Sequence, residues 1–134
     1  MTVPSTPVVL FACVHNSGRS VAARLLTETY AQGAVVARSA GSEPSGTVNP
    51  VVAAVLAERG ISVEREQPTL LDLDVVTEAD VVVTMGCGET CPYVPGKTYQ
   101  DWPVDDPAGQ DLDTVRRIVD DIDQRVRSLL ESLR

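Results

Sequence analysis

The feature that most constrains the fold is a continuous apolar run that passes directly into a loop of small and polar residues and then into a helix. The run VVLFAC covers residues 8–13, the loop follows it, and apolar residues with helical spacing extend over residues 19–31. An unbroken apolar strand is typical of a sheet that is covered on both faces, as parallel sheets are. The junction therefore predicts a strand–loop–helix unit of an α/β protein.

The rest of the chain alternates short apolar runs with stretches of helical spacing. The predicted elements after the first helix are strands at 34–41 and 80–86, a candidate short strand at 61–66, and helices at 49–60, 69–79 and 111–133. Asn49 is the expected N-cap of the second helix. Residues 87–110, rich in Gly, Pro and Asp, are predicted to be irregular. The alternation predicts one α/β domain with a parallel sheet over residues 1–134.

Composition and charge argue against several classes of protein. The chain has 134 residues and a net charge of −8, whereas nucleic-acid partners favour basic surfaces. Its apolar runs are all much shorter than the ~20 residues of a membrane span, and the N-terminus lacks the basic segment of a signal peptide. We therefore expect a cytoplasmic protein with neither nucleic-acid nor membrane partners. An anionic substrate must then be attracted by local groups.

The residues after the first strand form a candidate oxyanion site. Cys13 ends the strand, and ligands in open α/β sheets bind beyond the carboxyl ends of the strands. Backbone N–H groups of the loop and of the helix start can surround an anion, and the guanidinium of Arg19 can bind two oxygens of a tetrahedral oxyanion. The candidate binding residues are Val14, His15, Asn16, Ser17, Gly18, Arg19 and Ser20.

Cys13 is the candidate nucleophile of this site. The positive surroundings favour its thiolate form, which is the form that attacks. Ser20 is placed to donate a hydrogen bond to the thiolate, and Gly18 can take a positive φ where the loop needs one. The alternative is a buried structural cysteine beside an incidental surface arginine. The position of the pattern at a strand–loop–helix junction favours the oxyanion site.

The stretch CVHNSGRS, residues 13–20, resembles the active-site loop of the low molecular weight protein tyrosine phosphatase family, which includes thiol-linked arsenate reductases. The chain keeps the family residues Cys13, Asn16, Arg19 and Ser20, but has His15 for the usual Gly and Gly18 for the usual Cys. His15 is interpreted as a further donor to the oxyanion or as a residue that faces solvent. SAG at 39–41 and DDPAG at 105–109 are similar to the reductase branch. The resemblance implies a four-stranded parallel sheet flanked by helices.

The resemblance also implies a general acid. In the family this is the aspartate of an Asp-Pro pair near the C-terminus, and the matching residue here is Asp106. Asp105 is a competing carboxylate, and Asp-Asp-Pro by itself is an ordinary turn sequence. Family phosphatases carry aromatic residues after the pair, whereas this chain has Ala108 and Gly109. The implied substrate is therefore a small inorganic oxyanion, arsenate, with phosphate or sulfate as competitors.

Cys87 and Cys91 follow a strand that ends at the same edge of the predicted sheet as Cys13. The resemblance implies that Cys87 attacks the Cys13–arsenic adduct, which releases arsenite, and that Cys91 then takes over the disulfide for reduction by thioredoxin. Three residues separate these two cysteines, whereas six do so in well-known thioredoxin-linked relatives. Some of those relatives bind potassium through a glutamate where this chain has Arg24. We therefore predict neither a metal nor a cofactor.

Other functions are consistent with the same residues. In one alternative, Cys87 and Cys91 are half of a zinc site, for which only His15 is available as a further ligand. In another alternative, Cys87 and Cys91 take no part in the reaction, and a small thiol such as mycothiol, with mycoredoxin, supplies the electrons. The chain is otherwise a phosphatase acting on phosphotyrosine or another phosphomonoester, or a non-catalytic module that binds oxyanions or senses redox state. Arsenate turnover with thioredoxin distinguishes a thioredoxin-linked arsenate reductase from these alternatives.

Overall fold

The apolar run near the start of the chain forms an inner strand of the sheet. A computed structural model describes residues 6–16, 18–44, 47–63, 69–86 and 93–133. Strand β1 (Val8–Cys13) lies between β2 (Val36–Gly41) and β3 (Val81–Thr84). Residues 9–12 are completely buried, because both faces of the sheet are covered.

The sheet has four strands in the order β2-β1-β3-β4, and each neighbouring pair is parallel. The predicted α/β class is therefore confirmed. Strand β4 (Thr98–Asp101) lies in the segment predicted to be irregular. The candidate strand at 61–66 is wrong for residues 61–63, which are in no strand, and residues 64–66 lie outside the described part of the chain. β4 is a half-exposed edge strand of sequence TYQD, so it lacks the apolar pattern that identifies buried strands.

The described residues contain the helices α1 (Arg19–Ala31), α2 (Pro50–Glu58), α3 (Leu73–Glu78) and α4 (Leu112–Ser132). Asn49 caps α2 as predicted, since its side-chain oxygen accepts hydrogen bonds from two backbone N–H groups of the first turn at 2.8 and 3.3 Å. Asp72 caps α3, so this helix begins later than the predicted range of 69–79. Asp111 caps α4, and hydrogen bonds from Thr114 lower the pKa of the Asp111 carboxyl.

The helices cover the two faces of the sheet unequally. Helices α1, α2 and α4 pack on one face, where the rings of Phe11 and Trp102 lie 5.6 Å apart between centroids. The short α3 contributes to the smaller core on the other face, with Leu10 and Val82. In the described ranges, the helices lack the combination of length and apolar character that crossing a bilayer requires. The larger layer holds α1, and with it the loop after β1, against the sheet.

A buried carboxylate joins three helices. Asp123 on α4 is 5% exposed and accepts hydrogen bonds from the Tyr30 hydroxyl on α1 at 2.5 Å and from Arg59 at the end of α2 at 2.7 Å. Arg127 contacts the same carboxylate at 2.7 Å. A buried charge that is paired in this way avoids most of the cost of an unpaired one. The cluster fixes the far end of α1, whose first turn belongs to the candidate site.

Candidate active site

Cys13 lies at the carboxyl edge of the sheet, at the last position of β1. It pairs in register with Gly41 at the end of β2. The N–H of Met85, just after β3, donates to the carbonyl of Ala12 at 2.7 Å. Three neighbouring strands therefore end together around the thiol. This is the edge at which ligands bind in open parallel sheets.

A directional chain of hydrogen bonds ends on the sulfur of Cys13. The N–H of Thr69 donates to Oδ1 of Asn16 at 2.8 Å, so the amide of Asn16 presents its Nδ2 to Oγ of Ser20 at 2.7 Å. Ser20 Oγ lies 2.9 Å from Cys13 Sγ. Because Asn16 already donates to the hydroxyl, the hydroxyl hydrogen is free to point at the sulfur. A donor in this position stabilises negative charge on the sulfur.

Among the described residues of the loop, Asn16 is left-handed, with φ of 51°. Gly18 has φ of −145°, so it does not adopt the positive φ that a glycine there allowed. Asparagine enters the left-handed region more readily than most residues. Glycine is needed at position 18 for a different reason, because a Cβ there would lie only 2.9 Å from Cγ of Pro107. Its missing side chain lets the loop pack directly against the Asp-Pro turn.

Arg19 is the first residue of α1, and its side chain is largely buried beside the thiol. It is 12% exposed, with Nη2 lying 3.9 Å from Oδ2 of Asp106. Nη1 donates to the carbonyl of Val104 at 3.3 Å. Gly18, at the N-cap position, provides no side-chain cap for the first turn of α1. The guanidinium and the N-terminal end of the helix therefore both present positive charge at this edge of the sheet.

The cavity at the thiol is small, with a volume of about 30 Å³. It is lined by Cys13, His15, Gly18, Arg19, Asn49, Asp106, Pro107 and Ala108. Of the predicted binding residues, Asn16 and Ser20 instead lie in the hydrogen-bond chain to the sulfur, and the carbonyl of half-buried Val14 accepts from the N–H of Glu43 at 2.7 Å. Ser17, Cys87 and Cys91 lie outside the described residues.

Asp106, rather than its neighbour Asp105, is among the described residues that line the cavity. Its Oδ1 accepts the N–H of Ala108 at 3.0 Å, which orients the side chain within the turn. The side chain is 58% exposed and directs Oδ2 towards Arg19. A carboxyl group beside a thiol in so small a cavity can give a proton to an oxygen of a bound oxyanion.

Two further polar side chains line the cavity, and sequence reasoning described each only in part. Nδ1 of His15 lies 3.0 Å from the carbonyl of Glu43, so Nδ1 carries the hydrogen of this bond and Nε2 is left for other partners. Asn49 was predictable as a helix cap but not as a cavity residue. The Asn-Pro sequence signals the cap, whereas closeness to Cys13 depends on the path of the chain between β2 and α2.

The chain belongs to the low molecular weight phosphotyrosine protein phosphatase family, whose profile matches residues 8–134. The resemblance identified from the loop is therefore confirmed. The match begins with β1 and extends beyond α4, so it includes every strand and helix of the described structure.

Similar proteins include both reductases and phosphatases. A putative arsenate reductase of Halobacterium salinarum is 32% identical over 136 residues, with 98% of this chain and 96% of the relative covered. A thioredoxin-dependent arsenate reductase of Corynebacterium glutamicum has a structure with a TM-score of 0.85 at 43% identity, covering 98% of this chain but only 63% of that chain. The YwlE arginine phosphatase of Geobacillus stearothermophilus also has a TM-score of 0.85, at 25% identity, with 95% and 92% covered. The residues of the site must therefore distinguish the two activities.

Proposed function

We propose that this protein is an arsenate reductase that uses Cys13 as its nucleophile and a cysteine cascade as its source of electrons. The observation that carries the proposal is the small cavity at which Cys13, Arg19 and Asp106 meet. The described lining continues from Pro107 to Ala108 and offers no Phe, Tyr or Trp ring to flank an aryl group, which favours an inorganic oxyanion over an aryl phosphate. The activities named for two of its relatives support the same reaction.

In the first step the thiolate of Cys13 attacks the arsenic atom of arsenate, which Arg19 holds through two oxygens. An S–As bond forms, and one oxygen of arsenate leaves as water after Asp106 gives it a proton. The hydroxyl of Ser20, 2.9 Å from the sulfur, stabilises the charge on the thiolate before the attack. Arsenic remains As(V) in this step, because sulfur has only replaced an oxygen ligand.

Reduction occurs in the second step. The thiolate of Cys87 attacks Sγ of Cys13 in the adduct, the S–As bond breaks, and its electron pair stays on arsenic. Arsenite leaves as As(III), and a Cys13–Cys87 disulfide remains. The thiolate of Cys91 then attacks Cys87, which regenerates the thiol of Cys13 and leaves a Cys87–Cys91 disulfide. The parallel pairing of β3 with β1 up to Ala12 supports this order, since Cys87 follows β3 by only a few residues.

The disulfide between Cys87 and Cys91 needs two electrons from outside the chain. A dithiol protein such as thioredoxin supplies them by thiol–disulfide exchange, as the name of the Corynebacterium relative supports. In the alternative route, the thiolate of mycothiol attacks Sγ of Cys13 in the adduct, and arsenite leaves with the electron pair of the broken S–As bond. Mycoredoxin then reduces the resulting Cys13–mycothiol mixed disulfide. That route does not require Cys87 or Cys91, which makes the two reductants distinguishable by mutation.

Hydrolysis of a phosphomonoester is the second candidate activity, favoured by the phosphotyrosine protein phosphatase family to which the chain belongs. After Pro107 the chain continues with Ala108 and Gly109, so this segment offers no aromatic ring to flank a phenyl group. We therefore expect arsenate reduction to exceed hydrolysis of p-nitrophenyl phosphate by the same preparation. A higher rate of hydrolysis would identify the protein as a phosphatase.

The cascade predicts different products for the two later cysteines. Cys91→Ser is expected to release about one equivalent of arsenite per chain, as each chain holds one Cys13–Cys87 pair, and then to stop with that disulfide trapped. Cys87→Ser is expected to release little arsenite without an added small thiol. Arsenite release in a single turnover, followed by peptide mapping of the disulfide, measures both results.

The same two variants test the choice of reductant. Repeated turnover of both serine variants with mycothiol and mycoredoxin would show that the pair is dispensable and that the small-thiol route operates. Accumulation of a Cys13–Cys91 disulfide in Cys87→Ser, with normal release of arsenite, would reverse the proposed order of attack.

Asp106→Asn is expected to slow the chemical step by roughly 10²-fold or more, the usual contribution of a general acid. The amide still accepts a hydrogen bond from Ala108 but cannot supply the proton. Asp105→Asn is the matched control, because Asp105 is exposed and outside the described lining of the cavity. Single-turnover rates of arsenite release compare the two variants. A larger loss in Asp105→Asn would mean that the other carboxylate is the acid.

A further inference from the structure

Gly86, two residues beyond the end of β3, lies against the guanidinium of Arg19. A Cβ on Gly86 would be 2.7 Å from Nη1, 3.2 Å from Cζ and 3.3 Å from Nη2 of the arginine. Three atoms of one planar group at such similar distances show that the guanidinium fills the space of the missing side chain. Gly86 also has φ of +90°, which only glycine adopts without strain.

Two backbone segments contact the guanidinium. Met85 is completely buried and donates its N–H to the carbonyl of Ala12 at 2.7 Å, so Gly86 cannot readily move away from the arginine. The carbonyl of Val104 also accepts a hydrogen bond from Nη1 at 3.3 Å. The guanidinium therefore contacts both segments, and a methyl group added at Gly86 has to displace it.

We propose that Gly86 is a positioning residue for oxyanion binding, because its missing side chain leaves the space in which Arg19 is held at the cavity. The inference rests on the oxyanion site of the proposed function. Gly86 directly precedes Cys87 in the chain. The segment that positions the arginine is therefore continuous with the segment that carries the second cysteine of the cascade.

Gly96 provides a matched control for the backbone effect. It has φ of +89°, nearly that of Gly86, but a Cβ there would meet no atom of the described residues within 4 Å. Gly86→Ala and Gly96→Ala therefore carry the same backbone strain, and only the former places a methyl group against Arg19. Both changes are made with Cys87→Ser and Cys91→Ser, so that Cys13 is the one thiol left. The measurement is the concentration of inorganic phosphate that halves the rate of Cys13 alkylation by iodoacetamide.

Gly86→Ala is expected to raise that phosphate concentration by about tenfold or more, the scale of a lost hydrogen bond to a charged group. Gly96→Ala is expected to leave it within about twofold, while lowering the melting temperature to a similar extent as Gly86→Ala. In an Arg19→Lys background, the further change Gly86→Ala is expected to have little additional effect, because coupled residues are not additive.

Equal half-protecting concentrations in the two alanine variants would overturn the inference, and so would full additivity of Gly86→Ala with Arg19→Lys. If Gly86→Ala does not fold, the amide resonance of Gly86 in the otherwise unchanged protein is measured during phosphate titration. It is expected to shift with the same midpoint as the protection of Cys13, and a constant resonance would overturn the inference. Absence of protection by phosphate and by arsenate in the parent protein would instead overturn the oxyanion site itself.

Discussion

Replacing Cys13 by serine is expected to abolish arsenate reduction and to leave the fold intact. A hydroxyl is a far weaker nucleophile than a thiolate at neutral pH, and it cannot form the disulfide on which the release of arsenite depends. The loss is expected to be roughly 10⁴-fold or more, the scale seen when the nucleophile of a covalent mechanism is removed. Serine fits the site, since Cys13 is 2% exposed and already contacts the hydroxyl of Ser20.

The measurement is arsenite release with thioredoxin and its reductase, together with the melting temperature of each variant. Ser20→Ala is the informative companion, because it removes the donor 2.9 Å from the sulfur but keeps the nucleophile. It is expected to slow the attack while still allowing complete turnover. More than a trace of turnover by Cys13→Ser at an unchanged melting temperature would mean that the loop is not the reacting site.

Replacing Arg19 by lysine is expected to lower kcat/KM for arsenate by roughly 10²-fold or more, although the positive charge is kept. A lysine ammonium is a point charge and cannot bind two oxygens in the planar fork that a guanidinium provides. Lysine also cannot lie flat against Gly86 while it reaches the carbonyl of Val104, as the guanidinium does. The loss is therefore expected in oxyanion binding as well as in the chemical step.

Arg24→Lys is the matched control for this change. Arg24 lies on the same helix and forms an ion pair with Glu28 at 3.2 Å, outside the described lining of the cavity. It is expected to leave kcat/KM within about twofold, because pairs of this kind on a helix surface contribute little. Steady-state kinetics with arsenate, and inhibition by phosphate, measure both variants. Unchanged kinetics in Arg19→Lys would show that the guanidinium does not bind the oxyanion.

The local charge at this site differs from that of the whole molecule. The chain carries a net charge of −8, so its overall field repels an anionic substrate. In the proposed mechanism, attraction depends on Arg19, whose side chain is 12% exposed and therefore partly shielded from competing solvent, and on the N-terminal end of α1. Asp106 is the one carboxylate among the described cavity residues. Its proton, rather than its charge, is what the proposed chemistry requires.

The central unit of the fold and the main residues of the candidate site were predictable from the sequence. The apolar run of β1, the polar loop and the helical spacing of α1 are all local patterns, so they can be identified without knowledge of the rest of the chain. The loop residues Cys13 and Arg19 belong to one short stretch, and their chemistry suits the oxyanion site that we propose. Asn49 and the helix that it caps were predictable for the same reason, since capping involves adjacent residues.

Only the tertiary structure decided how distant segments complete the site. Strand β4 forms because an edge position in the sheet tolerates the polar sequence TYQD, which has no strand signature of its own. The contact with Pro107 requires a glycine at position 18. The guanidinium of Arg19 fills the space that a side chain at position 86 would need. Thr69 orients the amide that supports the thiol. Each of these contacts joins residues far apart in the chain. The periodicity of a segment therefore does not indicate which space or hydrogen-bond partner its residues will find in the folded protein.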